Sequence, residues 1–427
     1  MRIAIVGSGI AGLTCAHRLG PLHDVTLYEA DDRLGGHANT VVVEDPMAGA
    51  ISIDTGFIVH NDRNYPNLTT LFEELGVDAQ DAEMSFAVTN RDFQRSGQLF
   101  TYKATNVQTL FADRRNVIRP AMWHMLADIV RFYRAANRLL DGDRALQTNA
   151  GPTLAEFLDR GRYSRAFVDG HLVPLGAAVW SADPASFDAF PAITLFQFLR
   201  NHGLLGFAKR PQWRTVTGGS KVYVDAIADR FSGNIRLSTP VMGVTRGDTG
   251  ATVRTATDSA TFDRVVLACH PDQALAVLDD ATVAEKEVLG AIAYQPNIAT
   301  LHTDTTVLSP NSEVWAAWNY ECPRPGRDPE GLATLTYDMT TLQHLQGTRR
   351  YLVSLNSDHR IDPDAVISSF RYAHPIFDTA AIQAQDRFDE IDGLNRTHFC
   401  GAYWGHGFHE DGITSGLRAC ERVGSAR

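Results

Sequence analysis

The chain has 427 residues, of which 44% are hydrophobic and 21% charged, and its formal net charge is -11 at pH 7. This composition is typical of a globular protein and argues against long disordered regions, while the acidic balance argues against general nucleic-acid binding. The length is that of two domains, which we expect to be intertwined.

The cysteines and the apolar runs indicate the redox compartment of the protein and its relation to membranes. The five cysteines are scattered and lack CxxC spacing, so we expect a reducing cytoplasm, no disulfide framework and no metal site. A strand predicted directly after Met1 argues against a signal peptide. No run of about 18 apolar residues occurs, so we expect no membrane span, although the protein could still lie on a membrane surface.

A glycine-rich turn follows the first predicted strand. An apolar run leads into Gly7, Gly9 and Gly12, and the next apolar run, residues 25–28, ends on Glu29. The three glycines suit a tight turn, the close approach of a pyrophosphate and helix-on-strand packing, and the carboxylate suits ribose hydroxyls. The pattern predicts a strand, a helix and a second strand that bind a dinucleotide.

A second pair of glycines lies just downstream, in the Arg-Leu-Gly-Gly sequence of residues 33–36. This pair, after Glu29 and Ala30, resembles the extended fingerprint of the flavin amine oxidase superfamily, where the loop continues along FAD. The resemblance therefore implies FAD rather than NAD as the cofactor.

Residues 51–59 predict a strand that is interrupted at Gly56, where a ligand could approach the backbone. In the superfamily an Asp-x-Gly at this point runs past the flavin. Pro66 then suits the first turn of a helix that Gly76 would end. Just before this helix, Asn61 and Tyr65 are either substrate-site residues or residues that pack the helix start.

Two segments combine basic and apolar residues. Residues 91–138 hold nine Lys or Arg against three Asp, and their apolar residues recur at helical spacing from Met122 to Leu140. Residues 189–224 hold five Lys or Arg, no acidic residue and many aromatic ones. Either segment could simply pack on the core. Both together, in an acidic chain, favour basic amphipathic segments at a phospholipid surface.

The middle of the chain predicts a second group of elements. Thr153 and Glu156 form a capping-box pattern, and the apolar stretch 174–181, with Trp180, suits a pocket wall. A hairpin is predicted over residues 235–257 and a buried parallel strand at 265–268. Strands of a second sheet are predicted over residues 298–304, 314–320, 332–337 and 352–355. Its aromatic residues are mostly core candidates, with Trp315 and Tyr337 as possible cavity residues.

The closing segment, residues 399–416, predicts a strand, a glycine-rich turn and a helix that begins near Ile413. Free amides at a helix start can bind phosphate or a flavin carbonyl. The superfamily closes its FAD site with such a segment. The backbone of Val241 matches the superfamily position that meets the adenine, although this residue could simply be a core valine. The FAD contacts implied by the resemblance are Gly7, Gly9, Ile10, Ala11, Gly12, Glu29, Ala30, Arg33, Gly35, Gly36, His37, Thr55, Gly56, Phe57, Val241, Tyr403, Asp411, Gly412 and Ile413.

These motifs lie in superfamily order along the whole chain, which implies an α/β fold. We expect a Rossmann-type (GR2-like) FAD-binding domain built from the discontinuous segments 1–60, 211–285 and 395–427. A second domain, with a mixed sheet plus helices, would take residues 61–210 and 286–394 and bind the substrate at the membrane.

Four further stretches, residues 35–40, 213–220, 371–375 and 405–412, resemble a bacterial branch of FAD oxidoreductases associated with modified membrane fatty acids. This branch includes the dehydrogenase of furan fatty acid biosynthesis. The resemblance implies that a methylated unsaturated acyl chain of a phospholipid is dehydrogenated to a diene. We also expect a homodimer, since dimers are common, and a position at the inner face of the cytoplasmic membrane, to which the basic segments would bind.

Four residues are candidate proton acceptors for that reaction: His409, Glu410, His60 and His374. His409 is preferred because its loop is expected to reach the flavin, although a histidine in a glycine-rich loop can simply bind backbone, and Glu410 or Asp411 could cap the helix that follows. The substrate-binding candidates are Asn61, Tyr65, Trp180, Trp315, Tyr337 and Tyr403. The alternatives are an FAD amine oxidase of a soluble amine and a flavin-dependent fatty acid isomerase, although the paired-tyrosine pattern of amine oxidases is absent.

Overall fold

The structure is a computed structural model that describes residues 1–93, 98–142, 151–180, 184–206, 211–324 and 332–425. Its strands, in chain order, are β1 (Arg2–Val6), β2 (Asp24–Tyr28), β3 (Thr40–Asp45), β4 (Gly49–Asp54), β5 (Ala79–Ala82), β6 (Phe86–Phe93), β7 (Gln98–Lys103), β8 (Trp213–Val216), β9 (Asn234–Arg236), β10 (Gly243–Arg246), β11 (Ala251–Arg254), β12 (Ser259–Phe262), β13 (Arg264–Leu267), β14 (Tyr294–His302), β15 (Trp318–Glu321), β16 (Thr334–Asp338), β17 (Leu352–Leu355), β18 (Val366–Pro375) and β19 (Thr397–Phe399). The helices are α1 (Ile10–Leu19), α2 (Pro66–Leu75), α3 (Val107–Leu110), α4 (Pro120–Asp141), α5 (Leu154–Gly161), α6 (Arg165–Phe167), α7 (Val173–Trp180), α8 (Ala192–Asn201), α9 (Lys221–Arg230), α10 (Pro271–Val277), α11 (Val283–Gly290), α12 (Met339–Leu342), α13 (Thr379–Asp386) and α14 (His409–Ser425).

A five-stranded parallel sheet, in the order β19-β13-β1-β2-β9, collects strands from both ends of the chain and from its middle. Its central strand β1 reads as a continuous apolar run because both faces are covered, and Ile3, Ala4 and Ile5 have no exposed surface. The strands run parallel, so the loops after β1, β2, β13 and β19 meet at one edge of the sheet. This is the edge where such sheets bind ligands.

A second sheet of seven strands, in the order β18-β14-β17-β16-β15-β6-β7, is antiparallel except for the β15–β6 pair. The largest apolar core joins one end of this sheet to helices α4 to α8 and includes Phe132, Phe167 and Phe196. The mixed sheet with helices is therefore confirmed as the companion of the Rossmann-type sheet. The domain boundaries themselves stay a prediction.

Several local predictions hold because the residues act through their nearest neighbours. Helix α2 spans Pro66–Leu75, and Gly76 ends it in the left-handed region with φ 71°. Thr153 and Glu156 form the expected capping box of α5. Other bounds differ, since the strand predicted over residues 51–59 ends at Asp54, and α14 begins at His409 rather than near Ile413.

The second basic segment differs more. The apolar side chains of α8 are buried on almost every side, among them Leu195, Phe196 and Phe198. The prediction that residues 189–224 lie on a membrane is therefore wrong for α8, because its apolar residues fill the core. Residues 207–210 of this segment, and Ser181 of the predicted pocket wall, lie outside the described residues. No helix in the described ranges is long and apolar enough to span a membrane.

Candidate active site

The turn after β1 has three glycines with different surroundings. Gly7 has φ +100°, and a Cβ on it would lie 2.8 Å from the carbonyl oxygen of Ala268. A Cβ on Gly12 would lie 1.9 Å from the carbonyl oxygen of Gly7. Around Gly9, by contrast, the described chain places no atom within 4 Å of a Cβ, apart from its own neighbours. This gap is the approach that a pyrophosphate needs.

The carboxylate of Glu29 lies at the end of β2, directly beside this turn. Its Oε2 atom accepts hydrogen bonds from the amide, 2.8 Å away, and the hydroxyl of Ser8, and its Oε1 accepts from the amide of Asp31 at 2.9 Å. The amide of Thr239 donates to the carbonyl of Glu29 at 2.8 Å. This bond brings the chain before Val241 to the same end of the sheet, where the adenosine half of a dinucleotide would lie.

The Arg33-to-Gly36 loop packs against the glycine turn. Gly35 and Gly36 both have positive φ, 110° and 57°. Nη2 of Arg33 donates to the carbonyl of Gly36 at 2.9 Å, and the amide of Gly35 donates to the carbonyl of Ser8 at 3.1 Å. A Cβ on Gly36 would lie 3.2 Å from the Cα of Gly9. The two loops therefore form one continuous backbone surface.

The carboxylate of Asp54 ties three segments together under this surface. It is fully buried and accepts hydrogen bonds from the hydroxyl of Thr40 at 2.6 Å and from Ser220, through the amide at 2.8 Å and the hydroxyl at 2.7 Å. Burial raises the pKa of Asp54 to about 6, and these hydrogen bonds oppose the rise. The Gly-Gly turn before Ser220 is thereby anchored to the Asp-x-Gly segment.

His409 packs against the residue that follows the Asp-x-Gly segment, residues 54–56. Its ring stacks on Phe57 with a centroid distance of 3.7 Å, and its Nε2 lies 3.0 Å from the hydroxyl of Tyr223. Burial, helped by the nearby His60, lowers the pKa of His409 to about 3. The imidazole is therefore neutral at physiological pH.

A second group of histidines lies around His37, which directly follows the Arg33-to-Gly36 loop. His37 stacks on Tyr372 at 4.8 Å between ring centroids and lies 5.4 Å from His374 and 6.2 Å from His270. Burial, with the charges of the other histidines, holds the pKa of His37 well below its usual value. Nε2 of His37 is buried and has no partner in the described residues. This nitrogen is a donor or acceptor available to a ligand.

An aromatic wall made of Trp180, Phe198 and Phe408 lies beside the loop that precedes α14. Nε1 of Trp180 donates to the carbonyl of His406 at 3.2 Å. The ring of Phe198 stacks on Phe408 at 5.0 Å and lies 4.5 Å from Trp180. Phe408 is half-buried and packs against both the helical core and the core under α1. The wall therefore lies where the two cores meet.

Comparison with known proteins decides the family. The model of the family described as flavin containing amine oxidoreductase matches residues 10–424. The chain belongs to this family. Coproporphyrinogen III oxidase of Mycobacterium leprae (strain TN) is 27% identical over 286 residues, which are 62% of this chain and 58% of that protein. The chain thus spans less than two thirds of that relative.

Solved structures show the same fold. Cyclohexylamine oxidase from Brevibacterium oxydans IH-35A superposes with a TM-score of 0.69 at 17% identity, over 99% of this chain and 98% of that one. A fatty acid isomerase from P. acnes that produces CLA superposes with a TM-score of 0.68 at 14% identity, over 99% and 98% of the two chains. The predicted α/β fold, the cofactor FAD and the assignment to the FAD-dependent oxidoreductases are confirmed at the level of the family.

The residues present fit FAD. The gap at Gly9 leaves room for the pyrophosphate, and Glu29 offers a carboxylate to the ribose. A Cβ on Gly412 would lie 2.6 Å from Cγ2 of Ile10, so the first turns of α1 and α14 meet and both helices direct free amides to this edge. The individual FAD contacts of this flavin amine oxidoreductase stay predictions, with one exception.

The exception is Tyr403, which the sequence predicts at both the cofactor and the substrate. Only 1% of this residue is exposed, and it packs in the apolar core with Phe399, Val265 and Ala381. Its hydroxyl has no partner in the described residues. The turn after Gly401 directs the ring under the sheet, so the prediction of a cavity wall at Tyr403 is wrong.

Glu410 and Asp411 both bind backbone. Oε1 of Glu410 accepts from the amide of Asn67 at 3.0 Å, and its Oε2 accepts from the amide of Leu68 at 3.1 Å. Glu410 therefore caps α2, and its prediction as a proton acceptor is not supported, because both oxygens are occupied. Asp411 accepts from the amide of Phe408 at 2.9 Å and so shapes the loop before α14.

Three other candidates lie in closed surroundings. The ring of His60 is fully buried against Phe72 at 5.2 Å, both ring nitrogens lack partners in the described chain, and burial lowers its pKa to about 4. Asn61 is fully buried, and Tyr65 packs in the core under α1 with 4% exposed. These placements favour packing at the start of α2 for Asn61 and Tyr65, which is the other role that the sequence allows for them, and the role of His60 as a proton acceptor stays a prediction.

The two aromatic substrate candidates of the second sheet, Trp315 and Tyr337, lie in different surroundings. Trp315 donates from Nε1 to the carbonyl of Ser309 at 2.7 Å and packs on a small cluster around Leu352. This packing favours a core position, and its role as a substrate residue stays a prediction. Tyr337 lies edge-on to Trp318 at 5.1 Å, and both are half-buried where the helical core meets the core that contains Tyr372. Trp318 was not predicted at the site.

Two further residues matter for the histidines. Tyr223 is the hydrogen-bond partner of His409, and Nδ2 of Asn297 lies 2.8 Å from Nδ1 of His374. Neither residue belongs to a recognisable motif, and the partners lie 186 and 77 positions apart in sequence. Only the tertiary structure reveals these pairs.

Proposed function

We propose that this flavin amine oxidoreductase is a dehydrogenase that converts a methylated unsaturated acyl chain of a membrane phospholipid to a diene. Bound FAD would supply the two-electron acceptor that takes a hydride from an allylic carbon. The chain itself has to bind the acyl group, exclude water and accept the second hydrogen as a proton.

The observation that carries this proposal is the chemistry around the aromatic wall. Phe408 presents a half-buried ring that is backed by the buried rings of Trp180 and Phe198, and the carboxylates that follow it in the chain, Glu410 and Asp411, bind backbone amides. A cationic amine would be desolvated against this aromatic ring, where the two following carboxylates are already held by backbone amides. An acyl chain gains from the same burial.

His409 is the residue we propose as the proton acceptor. Its neutral ring lies on Phe57, in the segment that the superfamily places beside the flavin, and Tyr223 holds its Nε2. When Nε2 donates to the tyrosine, the lone pair is on Nδ1, for which the described residues show no partner. The low pKa keeps the ring neutral at physiological pH, so the lone pair stays free to accept a proton.

The deciding experiment is anaerobic reduction of the holoenzyme by a methylated monounsaturated phospholipid dispersed in detergent. We expect the flavin absorbance to bleach and a conjugated diene to appear in the lipid extract in equal amount. Bleaching by soluble amines, with none by the lipid, would overturn the proposal. Isomerised lipid without net bleaching would point to the isomerase alternative.

A variant pair tests the wall. Phe408→Asn should raise the KM for the lipid about tenfold, since it replaces apolar surface with a polar amide. Phe231→Asn removes another half-buried ring, at the far end of α9, and should leave KM unchanged. Equal KM values for both variants would contradict a substrate role for the wall.

A second candidate, oxidation of a soluble amine, is favoured by the family and by the fold shared with cyclohexylamine oxidase. The same reduction assay with a panel of amines tests it. A homodimer at the inner face of the cytoplasmic membrane stays a prediction.

A further inference from the structure

Large apolar side chains are exposed together at one place on the helical part of the protein. Of the 15 large hydrophobic residues exposed in the described chain, four lie within residues 107–123. They are Val107, Val117, Ile118 and Trp123, with exposed fractions of 72%, 50%, 82% and 52%. We call these four residues the apolar patch. Single exposed apolar residues are ordinary, but a contiguous group indicates a binding surface.

Local contacts hold the apolar patch together. The ring of Trp123 lies 5.4 Å from Phe111, and Nδ2 of Asn116 donates to the carbonyl of Thr101 at 2.9 Å. Asn116 is fully buried, so it anchors the turn that presents Val117 and Ile118. The apolar patch is therefore a fixed feature of the surface and not a loose loop.

The indole of Trp123 and the backbone amides of Ile118 and Arg119 have internal partners. Nε1 of Trp123 donates to the carbonyl of Val117 at 2.9 Å, the amide of Ile118 to Arg115 at 3.2 Å, and the amide of Arg119 to Asn116 at 3.4 Å. Unpaired polar groups are costly in hydrocarbon. A turn with internally bonded amides and an indole without a free N–H can enter an apolar layer at low cost.

The charges around the apolar patch are positive. Residues 98–142 contain seven Lys or Arg and three Asp, in a protein of net charge -11. Each aspartate is paired: Asp113 with Arg115 and Arg119, Asp128 with Arg131, and Asp141 with Arg200. The excess cations therefore meet no free acid within this segment.

Helix α4 extends this positive surface away from the apolar patch. Arg134 and Arg138 follow Trp123 by about three and four helical turns, so they lie on the same exposed side of α4. With Arg114, which is exposed next to the turn, they have no ion-pair partner among the described residues. An apolar end followed by a row of arginines is the pattern of a helix that lies flat on an anionic bilayer.

We propose that the protein docks on an anionic phospholipid bilayer through this surface, with the apolar patch entering the acyl boundary and Arg114, Arg134 and Arg138 contacting lipid phosphates. This inference rests on the proposed function, which places the substrate in a membrane. Of the two basic segments predicted at the membrane, it keeps residues 107–138 of the first and leaves out the buried helix α8 of the second.

The test is co-sedimentation of the holoenzyme with vesicles of phosphatidylcholine, with and without 30% phosphatidylglycerol (roughly the anionic share that attracts basic segments). The wild-type protein should bind the anionic vesicles, and binding should weaken as salt rises. Ile118→Ser should weaken binding about tenfold. The matched control is Val283→Ser in α11, which changes a residue that is 73% exposed elsewhere, and it should bind like the wild type.

The arginines give a second arm. The Arg134→Gln and Arg138→Gln changes should each weaken binding to anionic vesicles about fivefold and leave binding to pure phosphatidylcholine unchanged. If Ile118→Ser and the arginine variants bind like the wild type, docking through this surface is overturned. If the wild type ignores vesicles and Ile118→Ser turns a dimer into a monomer in sedimentation velocity, the apolar patch is a subunit interface and the proposal is also overturned.

Turnover separates this inference from the proposed function. Ile118→Ser should lose turnover of lipid in vesicles but keep it for lipid dispersed in detergent. If the patch variants lose vesicle binding while no methylated lipid bleaches the wild-type flavin, docking stands and the proposed substrate falls. If the lipid is oxidised but the patch variants bind vesicles normally, the proposed substrate stands and docking through this surface falls.

Discussion

Nδ2 of Asn297 donates to Nδ1 of His374 across 2.8 Å, and the surrounding bonds fix this direction. The amide of Ile298 donates to Oδ1 of Asn356 at 3.0 Å, so Nδ2 of Asn356 donates to Oδ1 of Asn297 at 2.7 Å. Asn297 is left with its NH₂ group facing the imidazole. His374 is therefore neutral with the proton on Nε2, and it presents a donor towards the flavin loops rather than a base.

Asn297→Asp should reverse this polarity. The carboxylate would accept from Nδ1 and stabilise the imidazolium, and so raise the pKa of His374 from about 4 by about 1 to 3. The absorption spectrum of the bound flavin, titrated between pH 5 and 8 (roughly the range in which histidine charge changes), should then show a transition that the wild type lacks. Asn297→Leu, which adds no charge, is the control, and a transition in both variants or in neither would contradict this assignment.

Gly9→Ala should remove FAD without harming the fold. The added methyl group meets no atom of the described chain within 4 Å beyond its neighbours, and φ at this position, -62°, suits alanine. The apoprotein should lose at most about 1 kcal/mol of stability, while FAD affinity should fall at least about tenfold because the methyl group occupies the place of the pyrophosphate. Fluorescence titration of the apoprotein with FAD measures this.

Two other glycine-to-alanine changes are the controls for that experiment. Gly424→Ala, near the end of α14, also meets open space and should bind FAD normally. Gly12→Ala should fail to fold, since its methyl group would lie 1.9 Å from the carbonyl oxygen of Gly7. Normal FAD binding by Gly9→Ala would show that the cofactor does not pass this glycine.

His409→Asn should slow the reduction of the flavin by substrate about a hundredfold, because it removes the proposed proton acceptor. Tyr223→Phe should slow it less, by about two- to tenfold, since it removes only the hydrogen bond to Nε2. Stopped-flow reduction measures both rates. His202→Asn changes another stacked histidine with a low pKa, about 4, which lies on the ring face of Phe198, and a rate as low as that of His409→Asn would indicate general damage to the site.

His60→Phe should make the protein less sensitive to acid. Burial lowers the pKa of His60 from 6.5 to about 4, so the unfolded chain binds this proton first. The contribution of neutral His60 to the free energy of unfolding is therefore fully present above about pH 6.5. It is lost as the pH falls towards 4, by up to about 3 kcal/mol. Urea unfolding at several pH values should show a shallower loss for the variant, whereas His124→Gln, on the exposed side of α4, should follow the wild type. A loss as steep as that of the wild type would contradict the buried neutral state of His60.

Sequence alone is sufficient where a residue acts through its neighbours. The strand, glycine turn, helix and second strand of residues 2–28 are all present, because the apolar runs and Gly7, Gly9 and Gly12 specify them locally. The same holds for α2, which Pro66 begins and Gly76 ends. These short-range patterns, with the order of the motifs, are enough to predict the fold class and to identify FAD as the cofactor.

The tertiary structure alone decides the roles that depend on distant partners. Glu410 looks like a residue of its own loop, but it caps a helix about 340 positions away, and Tyr403 turns under the sheet instead of into a cavity. The aromatic helix α8 and the segment before α4 have similar basic and apolar compositions, yet α8 is buried and Ile118 is exposed. Composition cannot distinguish them, because burial depends on which elements cover a face, and only the packing of the whole chain decides that.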